Sequence, residues 1–358
     1  MKKHARVAAG IIAVLLAMVA VAFVIRRRLH ARRGHRSFAV GPHRDHKSVG
    51  SLTPDLGPGD TLTLEGGVDY PAMNLEGSGT ALEPIRVVGT VENGKRPRFA
   101  SKDDRYTLAI RGEHILVEGV EVTGGRLAAV FVEGNDVTIR DSEVHDCASH
   151  GILASDTNSG SLTLERVDVH HAGSGDRRHQ IYVATDQAAY PQATFRLLQS
   201  RVHDGLGGNA VKSRAERNEI RGSTIEGAYY QALDLIGPEI VKGKPRPTSS
   251  DIVDNVIRGN GHEHYHLVRL GGDEEATSSD GDYRFTRNRF EIENEARSVV
   301  RVTFGAHLIS FEGNVFSRTG SGTTPVLDLS DATGAEPTVQ GVKNEIGPGF
   351  SGVPRAFR

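Results

Sequence analysis

The chain has 358 residues, with 43 Lys plus Arg against 45 Asp plus Glu and a formal net charge of −2. Proteins that bind nucleic acid need a strong basic excess, so this balance argues against a nucleic-acid partner. The single cysteine, Cys147, excludes an intramolecular disulfide. We expect its thiol to be buried, because free cysteine packs like a small hydrophobic residue.

The N-terminus begins with an apolar run over residues 7–25. At about 1.5 Å of rise per residue this run is just long enough to cross a bilayer. We therefore predict a transmembrane anchor or signal segment over residues 1–30, with the membrane as a partner. Residues 20–22 offer a small-x-small cleavage site, but arginines directly after the run favour an uncleaved anchor.

The orientation of that anchor has two opposing indications. The larger positive cluster lies after the apolar run, which by the positive-inside rule would hold the following chain in the cytoplasm. The type of fold predicted below favours the opposite side, so we expect a body outside the cytoplasm, periplasmic or extracellular. Residues 31–51 are rich in His, Arg, Lys and Gly and predict a basic, flexible tether.

The rest of the chain, residues 52–358, contains a recurring five-residue pattern at 179–183, 209–213, 231–235, 266–270, 298–302 and 325–329. Strand side chains alternate between two faces. The third positions therefore point into one core: Val211, Leu233, Val268, Val300 and Leu327. The fourth positions form one outward row of mixed charge: Tyr182, Lys212, Asp234, Arg269, Arg301 and Asp328.

A second recurring position supports the same organisation. Its apolar residues are Val122, Val144, Val169, Val202, Ile225, Ile257, Phe290 and Phe316, at a base spacing near 23 residues with three insertions. Two places before most of them stands a Ser or Asn that predicts a hydrogen-bonded ladder of turns: Ser142, Ser200, Ser223, Asn255, Asn288 and Asn314. Repeats of this length and period predict an all-β parallel β-helix of about ten coils.

Segments of the body resemble a known superfamily. Residues 59–67, 74–80 and 84–89 look like the opening coils of right-handed parallel β-helix proteins of the pectate-lyase-like superfamily, and residues 137–145 and 149–153 match its general repeat. The resemblance covers about residues 52–340. It implies a right-handed parallel β-helix, a fold that hosts many chemistries.

Residues 210–213, Ala-Val-Lys-Ser, resemble a local motif of the alginate lyase and chondroitinase B family, in which the lysine is the base. That family places an arginine acid one coil later, where this chain has Asp234 in a Leu-Asp-Leu context. The chain is more similar to uncharacterised β-helix proteins with a His-x-Ile-Tyr strand, a Val-Lys-Ser-Arg strand and a Leu-Asp-Leu strand. These motifs stand here at 179–182, 211–214 and 233–235.

The candidate chemistry is β-elimination on a uronic-acid polymer. An arginine must neutralise the sugar carboxylate, a base must take the proton beside it, and an acid must protonate the leaving oxygen. We predict Lys212 as base, Tyr182 or His179 as acid, and Asp234 as the group that orients Lys212 or binds a sugar hydroxyl. The candidate substrate-binding residues are Arg214, His203, Arg269 and Arg301.

Two functions follow from this prediction. The first is a membrane-anchored, monomeric polysaccharide lyase or epimerase that acts on an acidic polysaccharide. The alternative is a non-catalytic β-helix that binds glycan or packs against envelope partners. A hydrolase that uses Asp234 is a third and weaker option, because a glycosidase needs two facing carboxylates.

No metal site is predicted with certainty. Recurrent histidines at His145, His170 and His203 could be stacked metal ligands, but they are better explained as a generic turn feature. The acidic run Asp273, Glu274 and Glu275 is a candidate weak Ca²⁺ site. Three insertions, at 185–192, 237–250 and 271–281, follow strands of the charged row, and we expect these loops to wall a cleft beside it.

Overall fold

A computed structural model of the chain describes residues 34–238, 247–259, 266–273, 279–293, 296–332 and 335–357. The predicted transmembrane segment lies outside these residues. Within the described ranges no helix has the length and apolar character needed to cross a membrane. The anchor and the location of the body therefore stay predictions.

Nearly all of the described strands stack into three long sheets. The twelve-stranded sheet contains Ser37–Val40, Thr61–Leu64, Ile85–Gly89, Ile115–Glu118, Val137–Arg140, Leu162–Glu165, Thr194–Leu198, Arg217–Arg221, Ser249–Val253, Gly281–Thr286, Ala306–Glu312 and Thr338–Val342. The eleven-stranded sheet contains Asp69–Tyr70, Arg98–Ser101, Glu121–Gly124, Glu143–Cys147, Asp168–Ala172, Arg201–His203, Thr224–Ile225, Val256–Gly259, Arg289–Glu293, Val315–Thr319 and Glu345–Ile346. The ten-stranded sheet contains Met73–Leu75, Tyr106–Ile110, Ala128–Val132, His150–Ala154, Ile181–Ala184, Val211–Arg214, Leu233–Leu235, His266–Leu270, Ser298–Val302 and Leu327–Asp328.

Two shorter kinds of element complete the described part of the chain. Thr324–Pro325 and Phe350–Ser351 form a separate two-stranded sheet. Two short 3-10 helices lie at Thr53–Asp55 and Arg355–Phe357. The second of these places the Phe357 ring 4.9 Å from the ring of Phe311, at the C-terminal end of the core.

The chain visits the three sheets in turn, and each strand pairs in parallel with the strand one coil earlier and one coil later. The result is a parallel solenoid of the right-handed type with about 11 turns, one more than the sequence predicts. Successive strands of one coil belong to different sheets, so side chains of period two from all three sheets point into one central core. The predicted all-β parallel β-helix is confirmed.

The predicted inward residues form that core. Val211, Leu233, Val268 and Val300 have no exposed area, and only Leu327, near the end of the solenoid, is partly exposed. Cys147 is a buried free thiol, as expected, and burial raises its pKa to about 12. The second apolar position stacks in register through the eleven-stranded sheet: Val122, Val144, Val169, Val202, Ile225, Ile257, Phe290 and Phe316.

The ladder of turn residues predicted from the Ser and Asn positions is also present. Asn255 donates from its side chain to Asn288 at 2.9 Å, and Asn288 donates to Asn314 at 3.0 Å. The backbone N–H of each residue donates to the same side-chain oxygen of the next coil, and the ladder continues to Asn344. Buried polar groups are tolerated here because each has a partner. The ladder therefore fixes the turns from Asn255 to Asn344 against one another.

The solenoid begins earlier than the sequence predicts. Ser37–Val40 lies inside the range 31–51 that was predicted as a flexible tether, yet it pairs in register with Thr61–Leu64. Arg36 donates to Asp60 at 3.1 Å, and His43 bonds to Glu65 at 2.6 Å. The charges that suggested a solvated linker are matched by carboxylates of the first coil. The domain boundary predicted at residue 52 therefore does not coincide with the start of the solenoid.

Candidate functional site

The outward row predicted from the sequence exists in the ten-stranded sheet. Strand pairing places its six residues opposite one another in successive coils: Tyr182, Lys212, Asp234, Arg269, Arg301 and Asp328. The same row continues toward the N-terminus through Leu153, Phe131, Ala109 and Asn74. The row thus has an apolar N-terminal half and a charged C-terminal half on one continuous strand register.

Asp234 lies at the base of the charged half and has no exposed area. Arg269 donates to its two carboxylate oxygens from Nε at 2.6 Å and from Nη2 at 2.8 Å. Asn209 donates to Asp234 from Nδ2 at 2.7 Å. These bonds offset the large cost of burying a carboxylate. The row was expected to face solvent throughout, and the burial of Asp234 corrects that expectation.

Above Asp234, three cations converge on a second carboxylate, that of Asp273. Arg269 donates to it from Nη2 at 2.6 Å, Lys212 Nζ lies 3.5 Å away, and Arg214 also donates to it. Burial alone would raise the pKa of Asp273, but the charges of Lys212, Arg269 and Arg214 outweigh it and hold the pKa below its ordinary value. We call Lys212, Arg214 and Arg269 the cation cluster. Lys212 Nζ also lies 3.7 Å from Asp234.

Sequence reasoning treated Asp273 only as part of a candidate Ca²⁺ site and so missed this contact. Asp273 stands four residues after Arg269, just past the end of its strand. The sequence signal for this contact was an acidic residue a few positions after a charged residue of the outward row. Because three cations surround the Asp273 carboxylate, it is not arranged as a Ca²⁺ ligand. Glu274 and Glu275 lie outside the described residues.

Tyr182 lies beside the cation cluster, one coil before Lys212. Its hydroxyl oxygen accepts a hydrogen bond from Arg214 Nε at 3.2 Å. The Lys212 ammonium stands 5.9 Å from the centre of its ring. Tyr182 is partly exposed, so its hydroxyl is placed where a bound ligand could reach it.

His179 is buried at the start of the Tyr182 strand. The backbone N–H of Asn209 donates to its Nδ1 at 2.9 Å, and its own N–H donates to His150 Nδ1 at 3.1 Å. Burial, reinforced by Lys212, lowers the pKa of His179 to about 3, and burial lowers that of His150 to about 4. Nδ1 is an acceptor, so in the neutral ring the hydrogen lies on Nε2. A neutral imidazole is a poor acid. This protonation state therefore favours Tyr182 over His179 as the candidate acid for the leaving oxygen.

The remaining two predicted site residues lie away from Asp273. Arg301 belongs to the outward row but pairs with Asp331. His203 lies in the eleven-stranded sheet, where its ring nitrogens bond to Asp168 at 2.9 Å and Asp204 at 2.6 Å. Its ring stacks on His170, with centroids 5.0 Å apart. The structure does not bring His203 to the cation cluster, because its strand ends before the turn that leads to Lys212.

The stacked histidines pair with carboxylates of neighbouring coils and do not converge on one point. His145 bonds to Glu121 at 3.0 Å, and His170 bonds to Glu143 at 3.1 Å. Among the residues that the structure describes, no group of three or more His, Cys, Asp or Glu side chains is arranged to hold a metal ion. The generic structural explanation therefore accounts for the row of histidines.

Two cavities continue the outward row toward the N-terminus. The first, of about 670 Å³, reaches from Tyr182 over Leu153 to Phe131. The second, of about 1010 Å³, lies between the loop at 76–82 and Tyr190. Tyr190 belongs to the insertion at 185–192 and reaches back to donate to Glu113 at 2.6 Å. That loop therefore walls one side of a groove that runs along the sheet.

Comparison with known proteins identifies the fold. No protein-family model matches the sequence, and no curated protein sequence matches it. Among solved structures, this parallel β-helix is similar to pectate lyase Pel9A, with 14% identity over 88% of this chain and 78% of that chain and a TM-score of 0.50. A rhamnogalacturonan lyase has 10% identity over 87% of each chain and a TM-score of 0.50.

An alginate lyase from Paenibacillus sp. str. FPU-7 has 17% identity over 88% of this chain and 96% of that chain, with a TM-score of 0.47. At identities this low, the likeness to these structures establishes the fold alone. One fold of this kind hosts many chemistries. Any assignment of chemistry must therefore rest on the side chains of the candidate site.

Proposed function

We propose that this protein is a carbohydrate-active, polysaccharide lyase-like β-helix that acts on a uronic-acid-containing polysaccharide by β-elimination. One observation carries the proposal. Lys212, Arg214 and Arg269 all direct cationic groups at a single carboxylate on the outward face of the sheet. Asp273 supplies that carboxylate in the unliganded chain. A uronate carboxylate presents the same two oxygens and would take the same donors.

The first step of the reaction is the neutralisation of the sugar carboxylate. Cations close to a carboxylate make the adjacent C–H bond more acidic, because they stabilise the negative charge that develops when its proton leaves. Arg214 and Arg269 have guanidinium groups already directed at such a charge. Asp234 is buried beneath these two arginines. Its two carboxylate oxygens accept hydrogen bonds from Arg269 and so hold that guanidinium toward the sugar carboxylate.

The second step transfers two protons. A base takes the proton beside the carboxylate, a double bond forms in the ring, and the bond from the neighbouring carbon to the glycosidic oxygen breaks. We assign the base to the neutral amine of Lys212, which must first give up its ammonium proton to solvent and leave its ion pairs with Asp234 and Asp273. Arg214 and Arg269 then hold the sugar carboxylate. We assign the acid that protonates the leaving oxygen to Tyr182, which stands one coil away on the same face.

The test is direct. The full chain is incubated with alginate, chondroitin or pectate, and the unsaturated product is followed by its ultraviolet absorbance. Lys212→Ala is expected to lower the rate by about a hundredfold or more, since loss of a general base typically costs that much. Lys95→Ala, an exposed lysine on a turn between the other two sheets, is the matched control and should leave the rate unchanged.

Circular dichroism of both variants checks that the β-helix is intact. Undiminished product formation by a folded Lys212→Ala variant would remove Lys212 from the mechanism. A uronate epimerase would use the same base without breaking the chain. Exchange of the sugar proton with solvent, in the absence of an unsaturated product, would identify that reaction.

A second candidate function is a non-catalytic glycan-binding β-helix. The observation that favours it is the pairing of Lys212 with two carboxylates, which is a good arrangement for a binding cation and a poor one for a base. Binding of uronate oligosaccharides that depends on Arg214 but yields no product with any substrate would support this function. A hydrolase based on Asp234 has no such support, because that carboxylate is buried and bound on both oxygens.

Membrane anchoring through residues 1–30, with the body outside the cytoplasm, remains part of the proposal. The apolar run at 7–25 supports it. Fractionation of cells that express the full chain tests the anchor, and protease treatment of intact cells tests the side on which the body lies. Recovery of the uncleaved chain in the soluble fraction would contradict the anchor.

A further inference from the structure

We propose that the polysaccharide is a heteropolymer in which a uronic acid stands among neutral sugars, and that neutral sugars occupy the groove on the N-terminal side of the cation cluster. The inference rests on the proposed function for the position of the uronate. Its own basis is the shape and chemistry of the two cavities beside that position. A homopolymer of uronates would place further carboxylates in those cavities.

The two cavities form one continuous groove with the site. Arg111 and Glu133 line both, so the cavities adjoin. Tyr182 lines the first of them and stands one strand before Lys212. From Tyr182 to Asn74 the outward row spans four strand steps, about 19 Å at roughly 4.8 Å between neighbouring strands. That length accommodates several sugar rings of a chain whose uronate lies at the cation cluster.

The floor of the groove is aromatic. The rings of Tyr106 and Phe131 stack with centroids 4.0 Å apart and planes 6° apart, and both line the first cavity with Leu153. The Arg111 guanidinium stands 5.1 Å from the centre of the Phe131 ring. Flat apolar side chains of this kind pack against the C–H faces of sugar rings. Tyr106 and Leu153 are partly exposed and offer this contact area to a neutral sugar, whereas Phe131 is buried.

Over the two cavities together, acidic side chains outnumber basic ones, in contrast to the cation cluster. Four carboxylates line the two cavities, against two arginines: Glu76, Glu113, Glu133 and Asp156, against Arg105 and Arg111. The ion pair of Arg111 with Glu133 neutralises both groups, so three carboxylates remain against Arg105. Carboxylates accept hydrogen bonds from sugar hydroxyls but repel a second uronate. The acidic excess lies in the second cavity, and the groove as a whole therefore favours neutral sugars over further uronates.

The experiment compares two probes by calorimetry on the full chain. One is a galacturonate oligosaccharide, in which every sugar is charged. The other is a gellan fragment of equal length, in which glucuronate stands among neutral sugars. We expect the gellan fragment to bind about two- to fivefold more tightly, since removing one like-charge contact near a surface is worth up to about fivefold in affinity.

Variants at the groove sharpen the comparison. Tyr106→Ala should weaken binding of the gellan fragment by about two- to tenfold, whereas Tyr106→Phe keeps the ring and should bind normally. Glu113→Gln should strengthen binding of the galacturonate probe by about two- to fivefold at low salt. Glu312→Gln, an exposed glutamate at the end of a strand in the twelve-stranded sheet, is the matched control and should change neither affinity.

The outcomes separate this inference from the proposed function. Binding of the galacturonate probe that is as tight as that of the gellan fragment, or tighter, would overturn the heteropolymer. If Arg214→Gln weakens binding of both probes in that case, the uronate site still stands. Binding of either probe that is insensitive to Arg214→Gln would overturn the uronate site itself. Failure of both probes to bind would overturn both. Circular dichroism of each variant establishes that a lost affinity is not a lost fold.

Discussion

The outward row of the ten-stranded sheet has two halves that share one backbone and differ in chemistry. From Ala109 to Leu153 its residues are apolar or aromatic, and from Lys212 to Asp328 they are charged. Strand register is unbroken between the halves. The inward residues and the ladder of turn residues hold the coils together, so the outward row is free to change from coil to coil. A site can therefore be built on this scaffold without altering its core.

The halves also differ in how their side chains are satisfied. Phe131 in the apolar half needs only contact with Tyr106 and its neighbours. Asp234 in the charged half needs Arg269 and Asn209, because it is buried and charged. Loss of one partner in the charged half leaves a buried charge without compensation. Replacement of both partners by apolar side chains leaves no buried charge, as in the apolar half. The predictions below follow from that difference.

The largest effect is expected when the charged half loses its buried carboxylate. Asp234→Ala leaves the Arg269 guanidinium without its main partner, and we expect the free energy of unfolding to fall by about 3–5 kcal/mol. Chemical denaturation measures it. Asp328→Ala removes a more exposed carboxylate from the same row and should cost less than about 1 kcal/mol. Equal losses in the two variants would show that burial of Asp234 has no special energetic role.

Acid should destabilise the junction between the halves, where His150 and His179 are buried. Their pKa values in the folded chain are about 4 and about 3, below the ordinary value of 6.5. Because the pKa is lower in the folded chain, the unfolded chain binds more protons in acid. The contribution of each neutral histidine to the free energy of unfolding is therefore present above pH 6.5 and is lost as the pH falls toward 4. From pH 7 to pH 5 each histidine should cost about 2 kcal/mol.

The histidine contribution is isolated by the difference between wild type and His179→Asn. That difference in unfolding free energy should shrink by about 2 kcal/mol between pH 7 and pH 5. His307 provides a contrast, because the hydrogen bond to Asp282 raises its pKa. The difference between wild type and His307→Asn should move in the opposite direction. A pH-independent difference for His179→Asn would mean that its ring can be protonated in place.

Removal of the resident carboxylate should open the charged half to ligands. Asp273→Asn leaves Lys212, Arg214 and Arg269 without a competitor for their hydrogen bonds. We expect uronate oligosaccharides to bind about three- to tenfold more tightly to this variant. Calorimetry with a galacturonate oligosaccharide measures the change. Weaker binding would indicate that Asp273 positions the cations and is not displaced by the ligand.

The smallest effect is expected from the substitution that converts the charged half into a copy of the apolar half. Asp234→Leu combined with Arg269→Met replaces the buried ion pair by apolar side chains of similar size. We expect the unfolding free energy to stay within about 1 kcal/mol of wild type, because such replacements are often neutral or stabilising. Additive losses, with the double variant worse than Asp234→Ala, would show that the pair is needed for the fold itself.

Much of this molecule follows from local pattern, because strand alternation is a property of neighbouring residues. The inward positions, the outward row from Tyr182 to Asp328 and the Ser and Asn ladder were all predictable from spacing. Contacts made by loops were not. Asp273 reaches the cation cluster from beyond its strand, and Tyr190 reaches Glu113 across three coils.

Burial and protonation were also beyond sequence reasoning. Asp234 and Lys212 occupy equivalent positions, yet only the carboxylate lies wholly beneath its neighbours. His179 is a neutral acceptor because the next coil directs a backbone N–H at it. The Tyr106 and Phe131 platform depends on a diagonal contact between adjacent strands, which no spacing rule specifies. These features arise from packing between coils and become visible only once the coils are stacked.

The ladder of asparagines sets an order in time. The backbone N–H groups of Asn255 and Asn288 find their acceptors only on the coil that comes later in the chain. While the protein is being synthesised, each turn therefore stays incomplete until its successor has emerged, although folding can start from the N-terminal end. The newest coil of the growing solenoid therefore lacks the hydrogen bonds that its turn asparagine donates to the next coil. Asn344 supplies the last acceptor of the ladder, for the N–H of Asn314.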